Sequence, residues 1–401
     1  MRILILCQHY YPETFSVTGI AESLVRRGHE VLVVTGKPNY GFGRILEGYE
    51  DIEDEVIQGV RVHRCSLKPR RDSRLSIIQN YLSFWRSSKR YVRGLKEEFD
   101  VVYSVSLSPI ISVVGANIYA KKHDVPHVLH CLDLWPESVA ITGAIKKKTP
   151  MYRLLYHWSR GIYVKTSKIL VSSPSFADYF KGELKLPNHP LCYVAQPAIL
   201  GKASETVSYG HKYNLVYAGN IGRLQLMEPL VEAIDIARKK VDVCLHLIGM
   251  GAKEKRVLEL IESLSLQDNV LFYGTKRRDV TAGYYASATG LIVTLKNEGV
   301  VGKTIPNKLV SSLYFKKPIL ACIGGDGQAV LQEAGGAVFA ENETKEAFAE
   351  AIVELCSKSD AERSEMGKRN KEYYESHFDF ERIVDQIEDQ LSQAVALQKR
   401  N

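Results

Sequence analysis

The sequence contains no apolar run approaching the roughly 20 residues that a membrane-spanning helix needs, which argues against a helical membrane protein. The opening stretch, MRILILCQHYYP, is too short an apolar run for a secretory leader and has no small-residue cleavage site after it, so the expected compartment is the cytoplasm. Seven cysteines, at 7, 65, 131, 192, 244, 322 and 356, are scattered, odd in number and never spaced C-x-x-C. That excludes a zinc ribbon and favours reduced, mostly buried thiols over disulfides. The first strand runs into CQHYYPETFSVTG rather than G-x-G-x-x-G, so the dinucleotide fingerprint is missing. A P-loop is missing too: GKT at 302 to 304 lacks the upstream glycine. With no aromatic RNA-binding motif and no zinc-finger spacing, nucleic acid is not an expected partner.

At 401 residues the chain exceeds one comfortable core, and two domains are the first expectation. An apolar share of 45% with 25% charged residues is that of a globular protein and argues against disorder. The net charge of +7 is unevenly spread. KPRRDSRLSIIQNYLSFWRSSKRYVRGLK, from 68 to 96, mixes Lys and Arg with Ile, Leu, Tyr, Phe and Trp, and KKKTPMYRLLYHWSRGIYVKTSK, from 146 to 168, repeats the theme. Two readings stand: surface helices with their apolar faces packed inward, or a basic, aromatic-bearing surface that rests on anionic lipid.

Short β-rich runs at 3 to 6, 30 to 36, 60 to 65, 101 to 106 and 127 to 133 alternate with helical patterns at 20 to 28 and 110 to 125. Periodicity fades over PNHPLCYVAQPAILGKASETVSYGHK, 187 to 212, where Pro, Gly and Ser gather as in a linker. The alternation restarts with YNLVYAG at 213 and continues to GAVFA at 336 to 340, followed by a helical tail whose last helix spans about 380 to 398. The expectation is an α/β chain of two doubly wound parallel-sheet domains, 1 to 190 and 210 to 375, facing across a cleft at the carboxyl ends of their strands.

Several motifs belong at such strand ends. In AGNIGRLQ, 218 to 225, Gly219 and Gly222 let the backbone approach a phosphate and Arg223 offers paired donors, although the same letters also suit a plain strand-to-helix turn. Gly249 and Gly251 in LIGMGAKEK take the equivalent place after the next strand, and the two junctions together favour anion binding. HVLHCLDLWPESVAITG, 127 to 143, closes a strand with His130 and Asp133. A strand-end Asp can orient or deprotonate an acceptor hydroxyl. It can equally serve as a turn residue, with His130 a satisfied buried histidine and Trp135 in the core. KPNYGFGRILEGYE, 37 to 50, fits either a mobile acceptor-side flap or an ordinary surface loop.

Taken in order, QHYYPET, LVRRGHEVLVVTGKPNYGFGRILEGYE, LSP at 107 to 109, LDLWPES, YAGNIGRLQ and TIPNK with KKPILA resemble the family 4 retaining glycosyltransferases of the GT-B fold. The nearest branch is the bacterial one of capsule, O-antigen and exopolysaccharide assembly, which includes the L-fucosamine (N-acetyl-fucosamine) transferases. The resemblance covers almost the whole chain. It implies an acceptor-binding first domain, a nucleotide-sugar-binding second domain, and a last helix that crosses back onto the first.

It further implies a UDP-sugar donor, no cofactor and no obligatory metal, and a lipid-linked (polyprenyl diphosphate) saccharide acceptor reached from the inner face of the membrane. By the resemblance, Arg223 and Lys308 stabilise the departing diphosphate, Gly219, Asn220, Gly222, Gly249, Gly251 and Thr304, Ile305, Pro306 line the donor, and Asp133 lies in the acceptor motif. The chain departs from the pattern at the Glu-x7-Glu pair. Ser311 stands at the second glutamate, which in relatives holds the ribose, and Lys303 at the first; Lys316 replaces the Gly of G-x-P. Leu132 precedes Asp133 where many relatives have His, with His130 nearby. A non-catalytic GT-B subunit and a GT-B sugar-nucleotide epimerase are the alternatives.

Overall fold

The computed structural model describes residues 1–71, 73–141 and 143–400; Asp72 and Thr142, which fall inside two of the segments quoted above, and Asn401 lie outside the described residues. The chain divides into two compact units, Met1–Gln196 with Phe380–Asn401, and Pro197–Asp379.

Unit 1 is built on eight strands: β1 (Arg2–Leu6), β2 (Glu30–Gly36), β3 (Asp54–Ile57), β4 (Val60–Cys65), β5 (Val101–Ser106), β6 (His127–Cys131), β7 (Lys168–Val171) and β8 (Leu191–Tyr193). Their order is β3-β4-β2-β1-β5-β6-β7-β8, and every pair is parallel except β3 with β4. β1 and β5 read as unbroken apolar or small-residue runs because helices cover both faces, leaving no solvent side to alternate toward. The edge strand β3, DEVI, is half exposed and charged; that is why its sequence carries no buried-strand signature. The helix expected from 20 begins at Ser16 and runs to Arg26, and the run expected from 110 is a 3-10 turn, Ile110–Val113, continuing into the helix Val114–His123. β6 ends at Cys131, two residues short of the expected end, and β8 forms inside the segment read as a linker.

The terminal helix Phe380–Gln398 belongs to unit 1. It buries Ile383, Val384, Ile387 and Leu391, while Arg27 from the end of the first helix reaches Glu381 and Glu388, both at 2.8 Å.

Unit 2 carries β9 (Tyr213–Ala218), β10 (Val243–Ile248), β11 (Val270–Phe272), β12 (Gly290–Thr294), β13 (Ile319–Cys322) and β14 (Ala337–Phe339). All are parallel, in the order β11-β10-β9-β12-β13-β14. Counted from the first strand of the unit this is 3-2-1-4-5-6, the doubly wound order. Its ligand crevice lies at the carboxyl ends of the two strands where the winding reverses. In unit 2 those strands are β9 and β12; in unit 1 they are β1 and β5.

All seven cysteines are free thiols, six of them buried. Among the described residues no helix is long and apolar enough to cross a membrane.

Candidate active site

In unit 2 the chain leaves β9 through Gly219, whose φ of +147° suits glycine alone; a side chain there would strike Lys308, with Cβ only 2.7 Å from Cε. Gly249, leaving β10 at φ +139°, has no room either, since a Cβ would come within 1.9 Å of the Gly219 carbonyl oxygen. The two loops are therefore seated on each other. Ile221 N–H donates to Met250 O and Lys253 N–H to Ile221 O, both at 2.9 Å. Gly251 packs against the Ile221 carbonyl in the same seam.

Two residues with no role assigned from the sequence hold this turn. Tyr217 donates its hydroxyl to Asn220 O at 2.6 Å, and Gln225 Oε1 accepts from Gly222 N–H at 3.1 Å and from the Asn220 amide at 3.3 Å. Gly222 thus spends its N–H within its own loop. Tyr217 reads in sequence as one more core residue of a strand, so only its neighbours in space reveal the role. Arg223 is exposed, with no hydrogen bond or ion pair among the described residues.

The other wall comes from the segment after β12. A 3-10 turn, Val301–Lys303, is closed by Thr304, whose N–H and hydroxyl both donate to Val301 O. The chain then runs extended through Ile305 and Pro306 into the helix Asn307–Tyr314, which has no side-chain cap at its N-terminus. Ser311 turns its hydroxyl back onto Asn307 O at 3.0 Å, which leaves its oxygen lone pairs to accept.

Lys308 is the unusual group. Its stem is partly exposed, but Nζ is buried without a hydrogen-bond partner, 3.1 Å from the centre of the Tyr217 ring. Burial pushes this amine well below the ordinary lysine range. A buried amine lacking any acceptor is costly. Here it sits beside Gly219 and at an uncapped helix start, where backbone N–H groups and the helix dipole also favour an anion. The structure brings Gly219, Asn220, Gly222, Gly249, Gly251 and Lys308 into one neighbourhood, with Thr304 to Pro306 and Ser311 on the segment that carries Lys308.

Asp133 and His130 belong to unit 1. His130 is 1% exposed; its Nδ1 meets the Tyr103 hydroxyl at 2.9 Å and its Nε2 the Val194 carbonyl at 3.0 Å. Burial lowers its pKa to about 4. With both nitrogens taken and no open edge, the geometry gives this ring a place in the sheet and not the catalytic one that sequence proximity to Asp133 suggested. Asp133 follows the end of β6. Burial raises its carboxyl pKa, opposed by a hydrogen bond from the Ser108 backbone N–H. Trp135, beyond it, is buried and donates its backbone N–H to the Tyr163 hydroxyl at 3.2 Å. At the carboxyl ends of β1 and β5 lies a narrow pocket lined by Gln8, His9, Phe15, Ser108, Ser112 and Leu132 among others.

Comparison with known proteins places these observations. Residues 14–196 match the glycosyl transferase 4-like domain and residues 212–358 match glycosyl transferases group 1. The chain is 23% identical over 311 residues to a Pseudomonas aeruginosa protein named as a glycosyltransferase, WbjE, covering 70% of this chain and 76% of that one. It is also 23% identical over 333 residues to WcaI of Escherichia coli K12, named as a colanic acid biosynthesis glycosyl transferase, covering 78% and 81%. Among solved structures, Anabaena HepE in complex with UDP superposes with a TM-score of 0.70 at 15% identity, over 98% of this chain and 100% of that one. Two parallel α/β domains, each matched along its length by a glycosyl-transfer family, make the chain a glycosyltransferase of the GT-B fold, with a transferase 4-like first domain and a group 1 second domain.

Proposed function

We propose that this glycosyltransferase moves a sugar, including the N-acetylated amino sugars of the L-fucosamine branch, from a UDP-sugar to a lipid-linked (polyprenyl diphosphate) saccharide in capsule, O-antigen or exopolysaccharide assembly, with retention at the anomeric carbon. The observation that carries the reading is Lys308: a buried amine with no hydrogen-bond partner, resting on the Tyr217 ring at the strand ends where a doubly wound sheet takes its ligand. As the C1–O bond to the diphosphate breaks, negative charge gathers on the diphosphate; Lys308 and the unengaged Arg223 stabilise it, and no metal is required for the step. The HepE structure with UDP and the name of WcaI support the choice of nucleotide and of pathway class.

On the acceptor side, Asp133 accepts a hydrogen bond from the attacking hydroxyl. The membrane setting is supported by the helix Pro150–Tyr163, which buries only Ser159, Ile162 and Tyr163. Met151 (55% exposed), Leu154 (63%) and Trp158 (38%) share its outer face, next to the exposed Lys146, Lys148 and Arg153. Apolar residues at i, i+3 and i+7 edged by cations suit the interface of an anionic bilayer and support a peripheral setting on the inner face of the cell membrane.

The test is thermal stabilisation against a panel of nucleotide sugars, followed by UDP release from whichever stabilises most. At a hundred times Kd a ligand contributes about 2.7 kcal/mol, and UDP derivatives should raise the melting temperature by roughly 5 to 10 °C. A flat panel, or a preference for nucleotides other than UDP, contradicts the donor assignment.

A further inference from the structure

The donor reading uses the carboxyl ends of the unit 2 strands and leaves their amino ends unexplained. There, where β9, β12 and β13 begin, lies a second cavity of about 490 Å³, wholly within unit 2. Its size is that of a small-molecule site. Lys212, Tyr213, Phe315, Lys316, Lys317 and Arg363 line it among others. The six residues of β9 set it roughly 20 Å from the Gly219 turn. The two sites share a sheet but no residue.

The cations around the cavity have different duties. Arg363, 11% exposed, is spent on the chain itself: it donates to Cys356 O at 3.2 Å and, through Lys358 O and Asp360, closes the loop ahead of its own helix, Asp360–His377. Asp360 is the carboxylate among the lining residues, and Arg363 pairs with it. The lysines are not spent. Among the described residues none of their three ammonium groups has a hydrogen bond or an ion pair. Lys212 is held through its backbone N–H, which donates to Asp242 at 2.8 Å, and Lys317 through its carbonyl, which accepts from the Asn370 amide at 2.9 Å. Lys317 is half-buried, and burial pulls its amine below the ordinary lysine range. Three like charges gathered around one concavity repel each other until an anion comes between them.

The backbone at Lys316 points the same way. Its φ is +56°, a left-handed conformation that glycine takes without cost and lysine does not. The turn is fixed from outside: Gly367 of the helix Asp360–His377 lies so close that a Cβ there would come within 2.2 Å of the Lys316 carbonyl oxygen. A long cationic side chain therefore stands where the backbone favours none, beside two more unpaired amines.

We propose that this cavity binds a phosphate monoester of sugar size, with the phosphate on Lys212, Lys316 and Lys317 and the organic part against Phe315 and Pro318. The site lies at the opposite end of the sheet from the donor strand ends, so its ligand is an effector that the transfer step does not consume.

The probe is glucose 1-phosphate, titrated calorimetrically into the full-length protein at constant ionic strength, with glucose as the uncharged control. Glucose 1-phosphate should bind and glucose should not. Binding should persist in Lys308→Met, whose donor site is disabled. Replacing both lysines, Lys316→Gln with Lys317→Gln, should weaken it about tenfold or more while UDP affinity stays within about twofold of wild type. Lys316→Gly separates binding from folding: it should melt at or above the wild-type temperature, because glycine suits that φ, and still bind glucose 1-phosphate more weakly. No binding of glucose 1-phosphate at millimolar concentration overturns the proposal. So does binding that is lost in Lys308→Met and unchanged in the double variant, which would put the ester in the donor site. Failure of UDP to bind the wild type overturns the donor reading instead, and the Lys316 and Lys317 variants then decide this cavity alone.

Discussion

Lys308 pays for its position in the free protein. Its amine is buried against the Tyr217 ring with nothing to accept from it, and burial drives its pKa well below the ordinary 10.5. Between that lowered value and 10.5 the unfolded chain holds more protons than the folded one, so stability rises with pH across this window. Lys308→Met removes the buried amine while keeping the stem. It should abolish UDP binding and yet melt at or above the wild-type temperature near pH 7, with the rise in stability toward pH 10 reduced; a melt several degrees lower would mean that the amine has a partner. His130 makes the opposite case. Its nitrogens are both spent inside the sheet, so His130→Phe should cost about 1 to 3 kcal/mol in a denaturant titration by orphaning its partners, with kcat per folded molecule unchanged. Its pKa of about 4, below the 6.5 of the unfolded state, means that its neutral form contributes stability at pH 7 that is lost as pH falls from 6.5 to 4.

At the scale of elements, the two glycine loops act as one part. Gly249→Ala places a methyl group against the Gly219 carbonyl in a backbone region that suits glycine. Strain of roughly 1 to 3 kcal/mol should appear in the melt, together with a loss of UDP affinity. Unchanged UDP affinity would separate the loop from the site. The turns at Gly219 and Gly249 were legible in the sequence because only glycine takes such φ values after a strand, whereas Lys308 was singled out by resemblance alone. The hidden parts are those whose meaning depends on another element. Tyr217 and Gln225 look like core and loop residues until the turn between them is seen. β3 and β8 escaped because edge strands need no apolar alternation, and β8 is only three residues long. The terminal helix Phe380–Gln398 was readable from its amphipathic period, since one face is buried. Ile387→Ala in that face should lower the stability of unit 1 by ~2 to 4 kcal/mol and leave UDP affinity, which the proposal assigns to unit 2, as it was.

For the whole molecule, two doubly wound sheets each offer a reversal point, and that of unit 2 carries Lys308, whose buried nitrogen has no hydrogen-bond acceptor. The outer face of Pro150–Tyr163 adds a third feature, apolar side chains ringed by cations. Sedimentation with vesicles should show binding to anionic lipid that weakens with salt and falls in Leu154→Glu; equal binding to neutral and anionic vesicles would argue against the membrane setting. The central claim is that unit 2 grips a nucleoside diphosphate with Lys308 as its buried cation. Its most direct test is calorimetric titration of UDP into the full-length protein, in two buffers of different ionisation enthalpy, with EDTA present. The account predicts metal-independent binding with proton uptake that grows as pH rises toward the ordinary lysine range, because burial lowers the pKa of the free amine and the diphosphate raises it again, and the loss of both in Lys308→Met. Binding of UDP by Lys308→Met with wild-type affinity would contradict it.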